Sequence, residues 1–275
     1  MQKINHSLIV TDFDGTLLKS DGTISQRTKD AISRYLANGG KFAISTGRMP
    51  AAILPHIKEL GLSGAVSCAQ GSIIIDIQTN EILSSGTIPN ETAVKVCQAM
   101  EKRGLHIHVY NLWEYYSNMD DSYLAYYEEL VKAKAILVQN EPISEFIRKK
   151  GINPFKILVM LEPEDNERIR LELEGEGFQG CEVTRSAPWL VEVGNVAYNK
   201  GTSVQFLANY YGLPMDRTIA IGDQLNDLAM IKTATLGFAV QNADDALKQF
   251  AIVLPQTNDD DAVAEIIERY GYTEE

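Results

Sequence analysis

The stretch Ser7-Leu8-Ile9-Val10-Thr11-Asp12-Phe13-Asp14-Gly15-Thr16-Leu17 decides the fold. Its first five residues form a short apolar run of the kind that makes a strand buried on both faces. Two aspartates two residues apart then fall on a Gly-Thr turn at the strand's carboxyl end, where open parallel sheets bind ligands. Carboxylates packed this closely repel one another, so a cation is the economical way to hold them, and oxygen ligands suit Mg2+. A plain Asp/Gly turn leaving a strand uses the same letters, so the stretch needs support from elsewhere in the chain.

Outward from that strand the chain alternates strand and helix. Residues 25–38 have helical spacing, with Thr28, Ile32, Tyr35 and Leu36 on one side, Ser25 placed as a cap and Gly39-Gly40 as a stop. Strands are expected at 41–44, 65–69 and 72–77, a helix at 50–60, and a turn at Gln70-Gly71. This βαβα order predicts an α/β fold with a doubly wound parallel-sheet (Rossmann-like) core. The texture changes near 84–89, and residues 85–189 read as an inserted α/β domain. Its expected elements are helices at 90–102 and 163–174, paired strands at 105–110 and 114–117, a strand at 155–161, and a closing hairpin of 182–185 with 189–193. The core pattern then resumes with helices at 201–211 and 226–231 and strands at 218–221, 236–240 and 251–254, which assigns residues 1–84 and 190–275 to the core.

Composition narrows the function. The 275 residues carry 25 basic and 37 acidic side chains, a formal net charge of -12, which argues against nucleic acid and against an anionic membrane surface as partners. A small phosphorylated ligand is compatible, because a local cation can dominate one pocket of an acidic protein. No stretch is apolar enough to span a membrane, and the opening residues lack a signal-peptide layout, so the expectation is a cytoplasmic protein whose fold begins within its first residues. Cys68, Cys97 and Cys181 form no CxxC pair and read as reduced thiols. His106 and His108 share one face of a strand, where ordinary strand positions are favoured over a ligand pair.

Three further clusters fall on loops at strand ends or helix starts. Ser45-Thr46-Gly47-Arg48 offers a hydroxyl, an approachable backbone and a guanidinium, all suited to phosphate, although Ser and Thr also cap helices there. Asn199-Lys200-Gly201 puts a lysine at a helix start, where it either neutralises a phosphoryl group or is solvated surface. Gly222-Asp223-Gln224-Leu225-Asn226-Asp227 places Asp223 at a strand end as a metal ligand, with Asn226 and Asp227 in a first helical turn where acids also complement the dipole.

The four clusters in this order resemble the haloacid dehalogenase-like hydrolase superfamily, and in particular the Cof-type phosphatases with a class IIB cap inserted between the second and third motifs. The resemblance runs over essentially the full length. It implies a phosphoric monoester hydrolase with Asp12 as nucleophile, forming an aspartyl-phosphate, and Asp14 as general acid and base. Thr46, Gly47, Arg48, Lys200 and Asn226 would bind the substrate phosphate. Mg2+ would be held by Asp12, the Asp14 backbone carbonyl and Asp223, with Asp227 supporting those ligands. Small phosphorylated metabolites are the implied partners, sugar phosphates foremost, and the protein is expected as monomer or homodimer. A cap would close over the substrate, with Tyr110, Asn111, Tyr115 and Tyr116 as polar-aromatic candidates or simply strand residues.

A phosphomutase shares the aspartyl-phosphate. A non-catalytic phosphate-responsive binding protein would use Asp12 as acceptor, but leaves Asp14 and the insertion unexplained. A dehalogenase leaves Asp14 and Asp223 unexplained. Two positions depart from the pattern: relatives usually carry Asn-Gly where this chain has Gln70-Gly71, and a glycine where it has Asp261. Neither departure touches the phosphoryl chemistry in the family pattern.

Overall fold

In the computed structural model, which describes residues 3–131 and 133–273, the apolar run becomes β1 (Leu8–Thr11), buried along its whole length. Helix α1 (Gln26–Ala37) starts where the Ser25 hydroxyl accepts the Thr28 N–H at 3.0 Å and buries Thr28, Ala31, Ile32 and Tyr35 on one stripe. Next come β2 (Lys41–Ile44), α2 (Pro50–Glu59), β3 (Ala65–Cys68), β4 (Ile73–Asp76) and β5 (Ile82–Ser85).

The chain then builds α3 (Asn90–Glu101), β6 (His106–Tyr110), β7 (Tyr115–Ser117), α4 (Ser122–Val131), β8 (Ile136–Leu137), α5 (Ile143–Lys150), β9 (Lys156–Met160), α6 (Asn166–Gly175), β10 (Cys181–Ala187) and β11 (Leu190–Asn195). It finishes with α7 (Lys200–Tyr210), β12 (Thr218–Gly222), α8 (Leu228–Thr233), β13 (Leu236–Ala239), α9 (Asp245–Lys248), β14 (Ile252–Val253) and α10 (Ala262–Tyr270).

Two compact units result, one made of residues up to Ser84 and from Asn199, the other of Ser85–Tyr198. The first unit has a five-stranded parallel sheet in the order β14-β13-β12-β1-β2, and a parallel bridge between Ser45 and Ser67 brings β3 alongside β2. β3 folds back on β4 antiparallel, with β5 completing a three-stranded sheet.

The second unit has its own six-stranded sheet, ordered β10-β11-β9-β6-β7-β8 and antiparallel except between β7 and β8. Period-2 alternation sorts its faces. Ile107, Val109, Ile157, Val159, Val191 and Val193 join residues of α3, α5 and α6 in one apolar core. His106, His108, Tyr110, Ser117, Lys156 and Glu192 are buried at the alternate positions.

Two expectations need correction. The insertion runs on to Tyr198 rather than ending at residue 189: β11 lies between β9 and β10 in the insertion's own sheet, paired with β10 as the expected hairpin of 182–185 with 189–193. Helices α4 and α5 form where no helix was expected.

Ile157 is fully buried in the second unit's core. Ile157→Ala is expected to lower unfolding stability by about 2–5 kcal/mol in urea denaturation followed by circular dichroism.

Candidate active site

Parallel register brings the first unit's motifs to one edge. Thr11 pairs with Ile221 and with Ile44, so the chain leaves β1, β12 and β2 at the same level. The Asp12 N–H donates to the Ile221 carbonyl at 2.8 Å, and the Ser45 N–H to the Thr11 carbonyl at 2.9 Å. Lys200 begins α7, fixed there by Asn199, whose side chain accepts from the N–H groups of Gly201 and Thr202 at 2.9 and 3.0 Å.

Lys200 is buried to 1% exposure, and its ammonium donates to Asp12 Oδ1 at 2.5 Å and Asp227 Oδ1 at 2.6 Å. The other oxygen of Asp227 accepts the backbone N–H groups of Asp223 and Gln224 at 2.9 and 3.1 Å. Asp223 accepts from the Thr16 hydroxyl at 2.9 Å and the Gln224 amide at 3.3 Å. Gly15 makes room for this arrangement: it has φ +76°, and a Cβ there would come within 2.5 Å of Asp223 Oδ2.

Three buried carboxylates therefore face one ammonium, and one oxygen of each of Asp12, Asp223 and Asp227 lies within 4.8 Å of the others. Burial raises the Asp12 pKa well above the ordinary carboxylate value; Lys200 opposes the rise and the neighbouring acids add to it. Burial, followed by the charge of Asp227, pushes Asp223 from 3.8 to about 7, against the hydrogen bond from Thr16. Burial acts against the Lys200 charge, yet the Asp12 and Asp227 carboxylates outweigh it and raise its pKa. The surplus of negative charge over one lysine, on oxygen donors alone, fits a divalent cation. Asp227 spends both oxygens on protein donors, which suits a supporting part better than direct ligation.

Asp14 stands apart from this cluster. Its side chain is 52% exposed and lies in a bidentate pair with Arg48, Nε to Oδ2 at 2.9 Å and Nη2 to Oδ1 at 2.7 Å. The guanidinium also stacks 4.8 Å from the centre of the Phe13 ring. Arg48 was expected on the phosphate; here its fork is taken by Asp14.

Thr46 is buried and its hydroxyl accepts the Arg48 N–H at 3.1 Å. The Asn226 amide donates to Gln70 Oε1 at 2.9 Å, so the departure at Gln70 lies in contact with a candidate phosphate ligand. Thr16 and Gln224, quoted within the motifs without a role, bond Asp223, and Asn242, of the Asn242-Ala243 pair that matches the family pattern, donates its amide to the Gly15 carbonyl at 3.0 Å. The one signal for Gln70 was its place at the end of β3, level with the other motifs.

Among the aromatic candidates of the second unit, Tyr116 packs on Phe146 in the apolar core. Tyr110 stacks on Tyr115 and donates its hydroxyl hydrogen to Tyr127 at 2.6 Å. His106 and His108 do share a face, their Nε2 atoms 3.0 Å apart.

A parallel core with an inserted unit and acids gathered at its carboxyl edge defines a class of hydrolases. The chain belongs to the haloacid dehalogenase-like hydrolase family, whose model matches residues 9–267, and it is a phosphatase. It is 30% identical over 266 residues to the 5-amino-6-(5-phospho-D-ribitylamino)uracil phosphatase YitU of Bacillus subtilis, covering 96% of this chain and 97% of that one. A haloacid dehalogenase-like hydrolase from Bacteroides thetaiotaomicron has a similar structure, with TM-score 0.76 and 29% identity over 96% of this chain and 99% of that one. A subclass IIB sugar phosphatase shares the fold, with TM-score 0.83 and 20% identity over 96% and 99%.

The raised carboxyl pKa values fix the sign of a pH effect. An acid whose folded pKa is raised keeps its proton longer in the folded state. Without metal, stability is therefore expected to fall as pH rises from 3.8 through about 7. Added Mg2+ is expected to raise Tm more at pH 8 than at pH 5. Differential scanning fluorimetry across pH, with EDTA or with Mg2+, checks both signs.

Proposed function

We propose that this chain hydrolyses phosphate monoesters of small polyhydroxylated metabolites, sugar phosphates foremost, with Mg2+ and through a phosphorylated Asp12. The observation that carries this reading is the buried Lys200 ammonium bound to Asp12 beside two further carboxylates. An anionic nucleophile can meet an anionic phosphate only where positive charge offsets the repulsion. Asp12 and Asp223, with the Asp14 backbone carbonyl, would hold Mg2+, which when bound supplies further positive charge to the phosphoryl oxygens.

Lys200 engages Oδ1 of Asp12, which orients the carboxylate and leaves Oδ2 to attack phosphorus. As that bond forms, the bond from phosphorus to the leaving oxygen breaks, and the leaving oxygen takes a proton from Asp14. In the second step water attacks the phosphorus of the aspartyl-phosphate, Asp14 accepts the water's proton, and Asp12 is released with inorganic phosphate. The products are the free alcohol and phosphate, and both carboxyl groups return to their starting state.

Both Asp14 oxygens accept from Arg48, so the bidentate pair has to open for Asp14 to meet the leaving oxygen. Arg48 is then free to meet a phosphoryl oxygen. Thr46, Gly47 and Asn226 complete the phosphate pocket at the same edge. The second unit, with buried histidine, tyrosine, lysine and glutamate on one sheet face, is read as the domain that selects the alcohol portion. YitU, by its name, acts on a phosphorylated ribityl chain, so that compound belongs beside the sugar phosphates in a substrate panel.

Phosphate release from such a panel, with and without Mg2+, tests the proposal. Release is expected to require Mg2+ and to fall to background in Asp12→Asn. Asp14→Asn is expected to lose about 10²–10⁴-fold in kcat, the span of a general acid–base group. Trapping labelled phosphate on the Asp14→Asn protein would show the aspartyl-phosphate; full activity in Asp12→Asn would sink it.

A further inference from the structure

The turn after β3 is strained and buried, at the same edge as the phosphate-binding candidates. Ala69 and Gln70 have φ 48° and 61°, and non-glycine residues seldom hold such values without a reason. Asparagine tolerates this region better than glutamine, so the glutamine side chain offers something that a less strained residue would not.

Its contacts show what that is. The Gln70 N–H donates to the Thr46 carbonyl at 3.0 Å, and the Ala69 N–H to the Arg48 carbonyl at 2.9 Å, which ties the turn to the loop at 46–48. Gln70 Nε2 lies where a Cβ on residue 47 would come within 2.5 Å, so any larger residue there would push the Gln70 amide aside. Gln70 Oε1 accepts from Asn226 Nδ2 at 2.9 Å. Asn226 Oδ1 is buried with no hydrogen-bond partner among the described residues. One amide thus bridges two loops that carry candidate phosphate ligands, and Asn226 Nδ2 has a second N–H beyond the one given to Gln70, the donor an anion would use.

The geometry points to Gln70 as the positioning residue of the phosphoryl pocket, setting the orientation of the Asn226 amide against the loop at Gly47. This rests on the phosphatase reading for the identity of the anion. It acts through Asn226 rather than on the substrate, and its length is what matters. Asparagine at this position is one methylene shorter, so the bond between Oε1 and Asn226 Nδ2 is expected to be lost.

The test is inorganic phosphate binding, with Mg2+ present, by isothermal titration calorimetry on the full chain. Gln70→Asn and Gln70→Gly both suit the left-handed backbone, so each is expected to fold with an unchanged or raised Tm; either one suffices for the comparison. Both are expected to weaken phosphate binding roughly tenfold, the size of one lost polar interaction. They are also expected to raise KM for p-nitrophenyl phosphate while changing kcat by less than about threefold, the pattern of lost uniform binding. In an Asn226→Ala background, Gln70→Asn is expected to add less than about twofold, because the partner through which it acts is gone.

Phosphate binding within twofold of wild type in both single variants overturns the inference, as does a full tenfold loss on top of Asn226→Ala. A wild type that binds phosphate but releases none from p-nitrophenyl phosphate defeats the phosphatase reading alone, and the binding series still decides Gln70. A wild type that binds no phosphate overturns both.

Discussion

The Lys200 ammonium, buried between Asp12 and Asp227, is the interaction on which the active edge depends. Moving an ammonium or a carboxylate out of water costs several kcal/mol even after relaxation, and close pairing with full hydrogen bonding is what offsets it. The three groups come from β1's exit, the first turn of α7 and the loop after β12, so the pairing joins residues 188 positions apart. Its charge does not balance, since Asp223 is also buried. A fold that accepts this imbalance has an active edge that favours a cation, and electrostatic work done at folding is available to the chemistry later.

Topology explains why those groups meet at all. β1 lies between β12 and β2, with all three strands parallel and ending at one level. Each strand exit therefore delivers a loop to the same edge, and the helix that follows sets its first N–H groups there. The antiparallel sheet of the second unit has no such common exit. Its polar side chains are gathered instead by alternation along β6, β9 and β11, on the face opposite the apolar core.

Much of this was legible in the sequence because short motifs sit at strand ends, and a strand buried on both faces is easily recognised by its apolar run. Asp12, Lys200, Asp223 and Asp227 were legible as a set. The helices α4 and α5 were not: the α4 stripe buries only Leu124 and Tyr127, too little to stand out as a period. The end of the insertion was placed at residue 189, inside the hairpin of 182–185 with 189–193 that the sequence itself suggested, so that boundary cut through β11. The two departures from the family pattern, Gln70 and Asp261, both have φ 61°. Backbone geometry thus accounts for the asparagine and glycine usual there, which letters alone do not show.

The contrast between Asp12 and Asp14 carries the mechanism one step further. Two carboxylates of the same motif, two residues apart, differ from 9% to 52% side-chain exposure. The buried one is paired with a buried lysine that also binds Asp227, which on the proposed mechanism would hold a nucleophile in one orientation. The exposed one is held by an arginine on a long stem over an aromatic face, an arrangement that can open at modest cost, since pairs exposed to water are worth little net stability. A nucleophile benefits from rigidity, because misplacement costs rate. An acid that must deliver a proton in one step and collect one in the next benefits from freedom to move and from contact with water. The alternation Asp-Phe-Asp separates the two environments, because Phe13 between them is fully buried and turns Asp12 inward and Asp14 toward solvent.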